Sequence, residues 1–273
     1  MGRLKRQLVE RDVPAQAREA AMKGLLTALY SGVVYLFFFV TFLYAAGFVT
    51  GIVVPKSIDS GPEGALLPSL AIDVALLGLF AVQHSLMARP AFKRAWTKVV
   101  PEAAERSTYV LAASLALALL FWQWRPLLAP IWSVGDPTAA LVLTAIGWAG
   151  WAIVLISTFL ISHFHLFGVT QGFARILGLK QPDQTFTTPL FYKWIRHPIY
   201  AGFIIAFWST PQMSLGHLLF AVATTGYILI GIWLEERDLV AHFGGRYIEY
   251  RRTVGMLVPK LRLGGGGRAA RAP

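Results

Sequence analysis

The sequence predicts an all-α protein: a polytopic transmembrane helical bundle with five full spans plus one short helix paired in a C-terminal hairpin. Three observations support this prediction. Apolar residues occupy 56% of the 273 positions and charged residues only 14%, more apolar sequence than a soluble domain can bury. The apolar residues form long runs of the length that crosses a bilayer. The basic residues between these runs alternate between many and few, as they do in membrane proteins.

A helix needs about 20 residues to cross a hydrocarbon core of roughly 30 Å. Windows near that length predict five spans, at Thr27–Val53, Leu66–Met87, Ser107–Trp122, Thr138–Ile161 and Leu215–Leu234. A further apolar run, Ile199–Trp208, is short for a full crossing and is bounded by Pro198 and Pro211. We expect it to form a helical hairpin with the last span, joined by a tight turn at residues 211–213.

The orientation follows from the number of Lys and Arg residues in each connection. Along the chain these numbers are six, one, five, one, four, none and eight. Cytoplasmic connections carry the excess of basic residues. The alternation therefore predicts an even number of crossings, with the short run counted as one, and both termini in the cytoplasm.

The ends of the chain are predicted to lie outside the membrane domain. Residues 1–24 are too charged to resemble a cleaved signal peptide and are interpreted as a cytoplasmic basic tail. Residues 25–260 form a single transmembrane domain, and residues 261–273, which are rich in glycine and arginine, form a flexible tail. The net charge of +11 flanks the apolar runs and forms no continuous basic patch, so no nucleic-acid partner is expected.

Several ionisable side chains lie at the predicted cytoplasmic ends of the spans. They are His84, His163, His165, Arg196, His197, Glu235, Glu236 and Arg237. Such groups are costly at membrane depth and indicate a functional site, although each alone could simply anchor a helix end at the interface. The hairpin returns Arg196 to the level of Glu235 and Glu236, where an ion pair is expected. His197-Pro198 also predicts a helix start whose free N–H groups can bind an anion.

Three other features of the sequence bear on metal binding and catalysis. His163 and His165 are two residues apart, so on a helix they point to nearly opposite sides, and no metal site is predicted. The absence of cysteine excludes disulfides and thiolate ligands. Asp73 lies within the second predicted span, eleven residues before His84 on the same helical face. A buried aspartate at that depth needs a partner, whether structural or catalytic.

The C-terminal third contains RHPIYAG from Arg196, then EERDLVAHFGGRYIEYRRTV from Glu235, then Val258-Pro259. This combination resembles the isoprenylcysteine carboxyl methyltransferase and phospholipid methyltransferase superfamily of integral membrane methyltransferases. The resemblance implies a single methyltransferase domain that binds S-adenosylmethionine through residues about 163–260. The positions that match the superfamily's cofactor-binding motif are Arg196, His197, Tyr200, Gly202, Glu235 and Glu236. The resemblance also assigns cofactor binding to Gln171, which lies in an adjoining family stretch.

Two earlier stretches, Ala81–Pro126 and STFLISHFHLFGVTQ at 157–171, resemble one branch of that superfamily, the methanethiol S-methyltransferase family related to NnrU-like membrane proteins. That resemblance implies methyl transfer from S-adenosylmethionine to methanethiol, which gives dimethyl sulfide. Hydrogen sulfide is a further small thiol to consider. His163 matches a family position, whereas His165 stands where an acidic residue is expected.

An alkane thiol ionises weakly, so a base or a positive charge should help to form the thiolate nucleophile. The candidate bases are His163 and His84, with Asp73 as an orienting partner and Arg196 as the local positive charge. Alternative activities are methylation of a lipid or prenylcysteine carboxylate, sterol reduction, and, in a different class, a small membrane transporter.

Overall fold

The computed structural model describes residues 2–178 and 186–260, except for the side chains of 2–14, 16 and 175. Within these ranges, five helices are long and apolar enough to cross a membrane. They are α1 (Gly2–Thr50, apolar from Ala17), α2 (Leu66–Ala88), α4 (Glu102–Gln123), α5 (Pro137–Ile161) and α9 (Leu215–Phe243). The predicted all-α membrane bundle is therefore confirmed. The predicted glycine-rich tail, 261–273, lies outside the described residues.

Shorter helices connect or follow these spans. They are α3 (Pro90–Trp96), α6 (His163–Leu166), α7 (Val169–Leu177), α8 (Pro198–Trp208) and α10 (Gly245–Thr253), together with a 3₁₀ turn at Leu190–Lys193. The apolar helix α8 corresponds to the predicted short element. Helix α1 runs without interruption through most of the predicted N-terminal tail into the first span.

Local sequence explains where the helices near the site begin and end. The Ser214 side chain accepts a hydrogen bond of 3.0 Å from the backbone N–H of His217 and so caps α9, an interaction worth about 1 kcal/mol. Pro198 occupies the first turn of α8, where its missing N–H has no cost. Gly244 ends α9 with a φ of +58°, a conformation that glycine adopts without strain, and the chain then turns into α10.

The connection between α8 and α9 differs from the predicted tight turn. Residues Gln212–Ser214 form a short strand, β2, which pairs antiparallel with β1 (Pro130–Ser133) in the connection between α4 and α5. Trp132 lies opposite Met213 in this register. The turn prediction missed the strand because a partner more than 70 residues away in sequence, at β1, supplies its hydrogen bonds.

Helix α8 packs chiefly against α5 and also contacts α9, its partner in the predicted hairpin. Glycines allow the close contact with α5. A Cβ atom on Gly150 would lie 2.6 Å from the backbone nitrogen of Ala206, and one on Gly202 would lie 2.8 Å from the carbonyl oxygen of Gly150. Small residues are a common means of bringing membrane helices together, since lipid provides little hydrophobic drive between them.

Candidate functional site

The Glu236 carboxylate is the centre of a buried polar cluster formed by the end of α9, the start of α8 and helix α10. Its Oε1 accepts hydrogen bonds from Arg196 Nε at 2.7 Å and His197 Nε2 at 3.1 Å. Its Oε2 lies 3.1 Å from Arg251 Nε. The Arg196 and Glu236 side chains are only 8% and 9% exposed. We call Arg196, His197, Glu236 and Arg251 the Glu236 cluster.

Backbone groups that follow α10 hold the start of α8 in this cluster. The N–H groups of Arg196 and His197 donate to the carbonyl oxygens of Gly255 at 2.8 Å and Met256 at 3.1 Å. The Arg196 guanidinium also donates through Nη1 to the Val254 carbonyl oxygen. The segment 254–256 therefore positions the arginine and the histidine that contact Glu236.

Helix α10 carries tyrosines that pack beside this segment. The Tyr250 hydroxyl donates to the Tyr192 carbonyl oxygen in the 3₁₀ turn before α8. Burial raises the pKa of Tyr250 to about 12, so its phenol stays protonated and keeps donating at neutral pH. This contact ties the approach to α8 to the helix that bears Arg251.

Glu235, next to the Glu236 cluster, offers a more open carboxylate. Its Oε2 accepts a hydrogen bond of 2.9 Å from the Tyr200 hydroxyl, and His197 Nδ1 lies 3.9 Å away. The Glu235 side chain is 45% exposed. Tyr200 thus orients a carboxylate that still has capacity to accept hydrogen bonds from a ligand.

His84 lies among aromatic side chains of α2, α4 and α9. The Tyr109 hydroxyl is 2.8 Å from His84 Nε2 and 3.1 Å from Nδ1. The rings of Phe80 and Tyr227 flank the imidazole at centroid distances of 5.2 Å and 6.3 Å, and Ser85 donates to the Tyr227 hydroxyl at 3.3 Å. One hydroxyl group is within reach of both ring nitrogens and can bond one of them at a time, so the imidazole can still take a second partner. We call His84, Tyr109 and Tyr227 the His84 cluster.

His163 occupies a different environment, at the junction of α5 and α6. Its Nδ1 is 2.7 Å from the Thr158 hydroxyl, and its Nε2 is 2.9 Å from the Tyr35 hydroxyl. The ring stacks on Phe159 at 4.1 Å. Burial lowers the pKa of His163, so the imidazole is neutral at neutral pH. Both nitrogens have hydroxyl partners, and a substrate would have to displace one of them.

The other predicted site residues lie away from the Glu236 cluster. The Oδ1 of Asp73 accepts from the backbone N–H of Arg125 at 2.8 Å, and its Oδ2 is buried without a hydrogen-bond partner among the described residues. Asp73 is about 16 Å from His84 along the α2 axis, at 1.5 Å per residue. Asp73 and His84 therefore lie on the same helix but do not contact each other.

Gln171 and Gly202 have contacts that the sequence did not predict. Gln171 Nε2 donates to the His165 carbonyl oxygen at 3.0 Å, and its buried Oε1 has no partner within the described ranges. Gly202 lies on the face of α8 that meets α5, where a Cβ atom would also be 2.9 Å from Val154 Cγ2. The close helix contact is one physical reason for glycine at this position.

Sequence reasoning missed two contributors to these clusters, Arg251 and Tyr109. Arg251 is one of eight basic residues in the C-terminal segment, and no spacing rule singles it out. Tyr109 is an aromatic residue within an apolar span, a pattern that usually indicates packing. Within the described ranges no group of three or more histidine, aspartate or glutamate side chains is arranged to hold a metal ion.

Fold and site together define a helical integral membrane protein with two polar clusters along α9, one where α9 meets α8 and α10 and one where it meets α2. Curated relatives identify the family. The chain is 54% identical to methanethiol S-methyltransferase 1 of Bradyrhizobium diazoefficiens, over 86% of this chain and 82% of that protein. It is 51% identical to methanethiol S-methyltransferase of Mycobacterium tuberculosis, over 87% and 98% of the two chains.

The chain therefore belongs to the methanethiol S-methyltransferase family, which confirms the resemblance and the enzyme class expected from the sequence. A more distant relative is nurim of Rattus norvegicus, 32% identical over 65% of this chain and 70% of that protein. No family model and no solved structure matches the chain.

Proposed function

We propose that this protein transfers a methyl group from S-adenosylmethionine to methanethiol and so forms dimethyl sulfide. The observation that carries the proposal is the identity of about half of all aligned residues to proteins named methanethiol S-methyltransferase, over 82% and 98% of the length of the two relatives described above. A sulfonium is already an activated methyl donor. The protein then needs to position the two sulfur atoms in line, exclude water and favour the thiolate.

The donor is proposed to bind beside Glu235 and the Glu236 cluster. The half-exposed Glu235 carboxylate suits an ammonium group or ribose hydroxyls, and Tyr200 orients it. Arg196, His197 and Arg251 hold Glu236 and so fix the end of α9. Gln171 lies on α7, which packs against α1 and α4, and its buried Oε1 has no partner within the described ranges, so its assignment to donor binding rests on the family resemblance alone. Gly202 contributes by letting α8 approach α5.

His84 is the proposed base. Support comes from its single hydroxyl partner, Tyr109, which leaves capacity on the imidazole for the thiol proton. The surrounding Phe80 and Tyr227 rings provide an apolar wall for a small thiol. His163 remains the competing candidate, although its two hydroxyl partners favour a structural role. Asp73 is proposed to hold the connection after α4 through Arg125.

The protein is integral to the membrane, and we further propose the bacterial inner membrane with both termini in the cytoplasm. The alternating Lys and Arg numbers support this orientation. It would place the Glu236 cluster at the cytoplasmic face, where a water-soluble donor is available.

The direct test is incubation of membranes containing the protein with methyl-labelled S-adenosylmethionine and methanethiol, followed by headspace detection of labelled dimethyl sulfide. Parallel incubations replace methanethiol with hydrogen sulfide, a prenylcysteine carboxylate or lipid alone. Membranes prepared in the same way without the protein serve as the control. Labelled prenylcysteine ester or lipid without labelled dimethyl sulfide would overturn the proposal.

A further inference from the structure

Arg106 lies on the first turns of α4, beside the His84 cluster. Its Nε donates to the Leu166 carbonyl oxygen at 2.7 Å, which fixes the side chain at the end of α6. Its guanidinium carbon is 5.1 Å from the centre of the Tyr109 ring. A cation at this distance over an aromatic ring is held there by the ring's quadrupole.

Tyr109 connects this cation to the proposed base. The rings of Tyr109 and His84 have their centres 5.1 Å apart, and the Tyr109 hydroxyl is bonded to the imidazole. Arg106, Tyr109 and His84 thus form a continuous chain of contacts from α4 to α2. A small thiol that meets the imidazole would lie within the field of the guanidinium.

Arg106 differs from the other arginines in this region because no nearby carboxylate of the described chain pairs with it. Arg196 and Arg251 are paired with the Glu236 carboxylate, and Arg89 with Asp238 at 3.6 Å. In the described part of the chain, Arg106 has no ion pair, not even with its neighbour Glu105. Its positive charge is therefore less compensated than that of Arg196, the cation expected from the sequence.

We propose that Arg106 is the positive charge that favours the thiolate form of the substrate beside His84. The inference rests on the proposed function and deepens it. The thiol S–H bond breaks and its proton passes to the imidazole. The thiolate sulfur then forms its bond to the methyl group as the donor's sulfur–methyl bond breaks, and the donor leaves as a neutral thioether.

The same charge governs where the proton goes next. The charged or titratable groups around His84 in the described chain are Tyr109 on α4, with Arg106 over its ring, Tyr227 on α9, and Arg89 at the end of α2, whose Nε lies 3.4 Å from the Ser85 carbonyl oxygen. None of them is a carboxylate that would hold an imidazolium. Arg106 opposes a lasting positive charge on the ring, so the proton leaves to water and the thiolate stays opposite the guanidinium.

The experiment compares Arg106→Gln and Arg106→Lys with the unaltered protein. Glutamine can still donate to the Leu166 carbonyl but carries no charge, whereas lysine keeps the charge. Arg89→Gln is the matched control, because it removes an arginine whose charge Asp238 already offsets. The rate kcat with methanethiol is measured between pH 6 and pH 10 with the donor saturating.

We expect Arg106→Gln to lower kcat at pH 7 by about 10- to 1,000-fold, since a nearby opposite charge shifts a pKa by roughly 1–3 units. The rising limb of the profile should move to higher pH by roughly 1–3 pH units, and kcat should recover at the alkaline end. Arg106→Lys and Arg89→Gln should retain the normal profile to within about threefold.

A more acidic thiol, 2,2,2-trifluoroethanethiol, separates the electrostatic role from a structural one. At pH 9 this substrate is mostly thiolate before it binds, so at that pH loss of the charge should raise KM and leave kcat nearly unchanged. An equal loss of kcat for both thiols at every pH, or a normal profile in Arg106→Gln, would overturn the inference while the proposed function stood. Failure of the unaltered protein to methylate either thiol would overturn both.

Discussion

Glu236 Oε1 accepts the Arg196 Nε hydrogen at 2.7 Å, and this contact joins two residues that are 40 positions apart in the chain. It closes the connection between α8 and α9 at the end opposite β2. Both side chains are nearly excluded from solvent. Removing one partner of such an ion pair leaves a buried charge, which costs about 3–5 kcal/mol. The two adjacent glutamates should therefore respond differently to substitution.

Glu236→Ala should lower the unfolding temperature in detergent markedly, because Arg196 and Arg251 lose their shared carboxylate. Glu235→Ala removes a half-exposed group whose partner is the Tyr200 hydroxyl, so the free energy of unfolding should fall by about 1 kcal/mol or less. Its effect should fall on donor affinity, measured by calorimetry with S-adenosylmethionine. Unchanged affinity in Glu235→Ala would remove this carboxylate from the donor site.

His84→Ala should reduce kcat for methanethiol by about 10²–10⁴-fold, the usual size of general-base assistance. The loss should become smaller at high pH, where the thiol ionises without help. Donor affinity should stay normal, as calorimetry would verify. His163→Ala is the comparison. It should lower thermal stability through the lost Tyr35 and Thr158 contacts and leave the pH profile of kcat in place. The reverse pattern would make His163 the base.

Gly202→Ala should displace α8, because the added methyl group would lie 2.8 Å from the Gly150 carbonyl oxygen. Both helices present backbone at this contact, so neither can yield by a side-chain rotation. We expect a lower unfolding temperature and weaker donor binding together. Gly226→Ala in α9 meets nothing within 4 Å and serves as the control. Wild-type stability in Gly202→Ala would show that the helices can separate at little cost.

Reporter fusions after Lys23 and after Pro259 should both report the cytoplasm. The prediction rests on the basic residues, which are numerous in every second connection. A fusion in the connection around Lys56 should report the opposite side. If either terminal fusion reported the periplasm, the short helix α8 could not count as a crossing.

The sequence predicted the spans closely because a long apolar run allows few structures other than a helix. The predicted Leu66–Met87 corresponds to Leu66–Ala88, and Ile199–Trp208 to Pro198–Trp208. The site was predictable only where motif residues contact one another, as Arg196 and Glu236 do. The strand pair β1–β2 depends on distant partners. So do the contacts of Tyr109 with His84 and of Arg125 with Asp73, and no local pattern encodes them.

The backbone carbonyls of residues 254–256 fix the start of α8, and these residues follow every membrane span. During synthesis, the five long helices of the described chain are therefore made before the segment that completes the start of α8. A chain stopped after α9 would contain these helices but lack the carbonyl oxygens that hold Arg196 and His197.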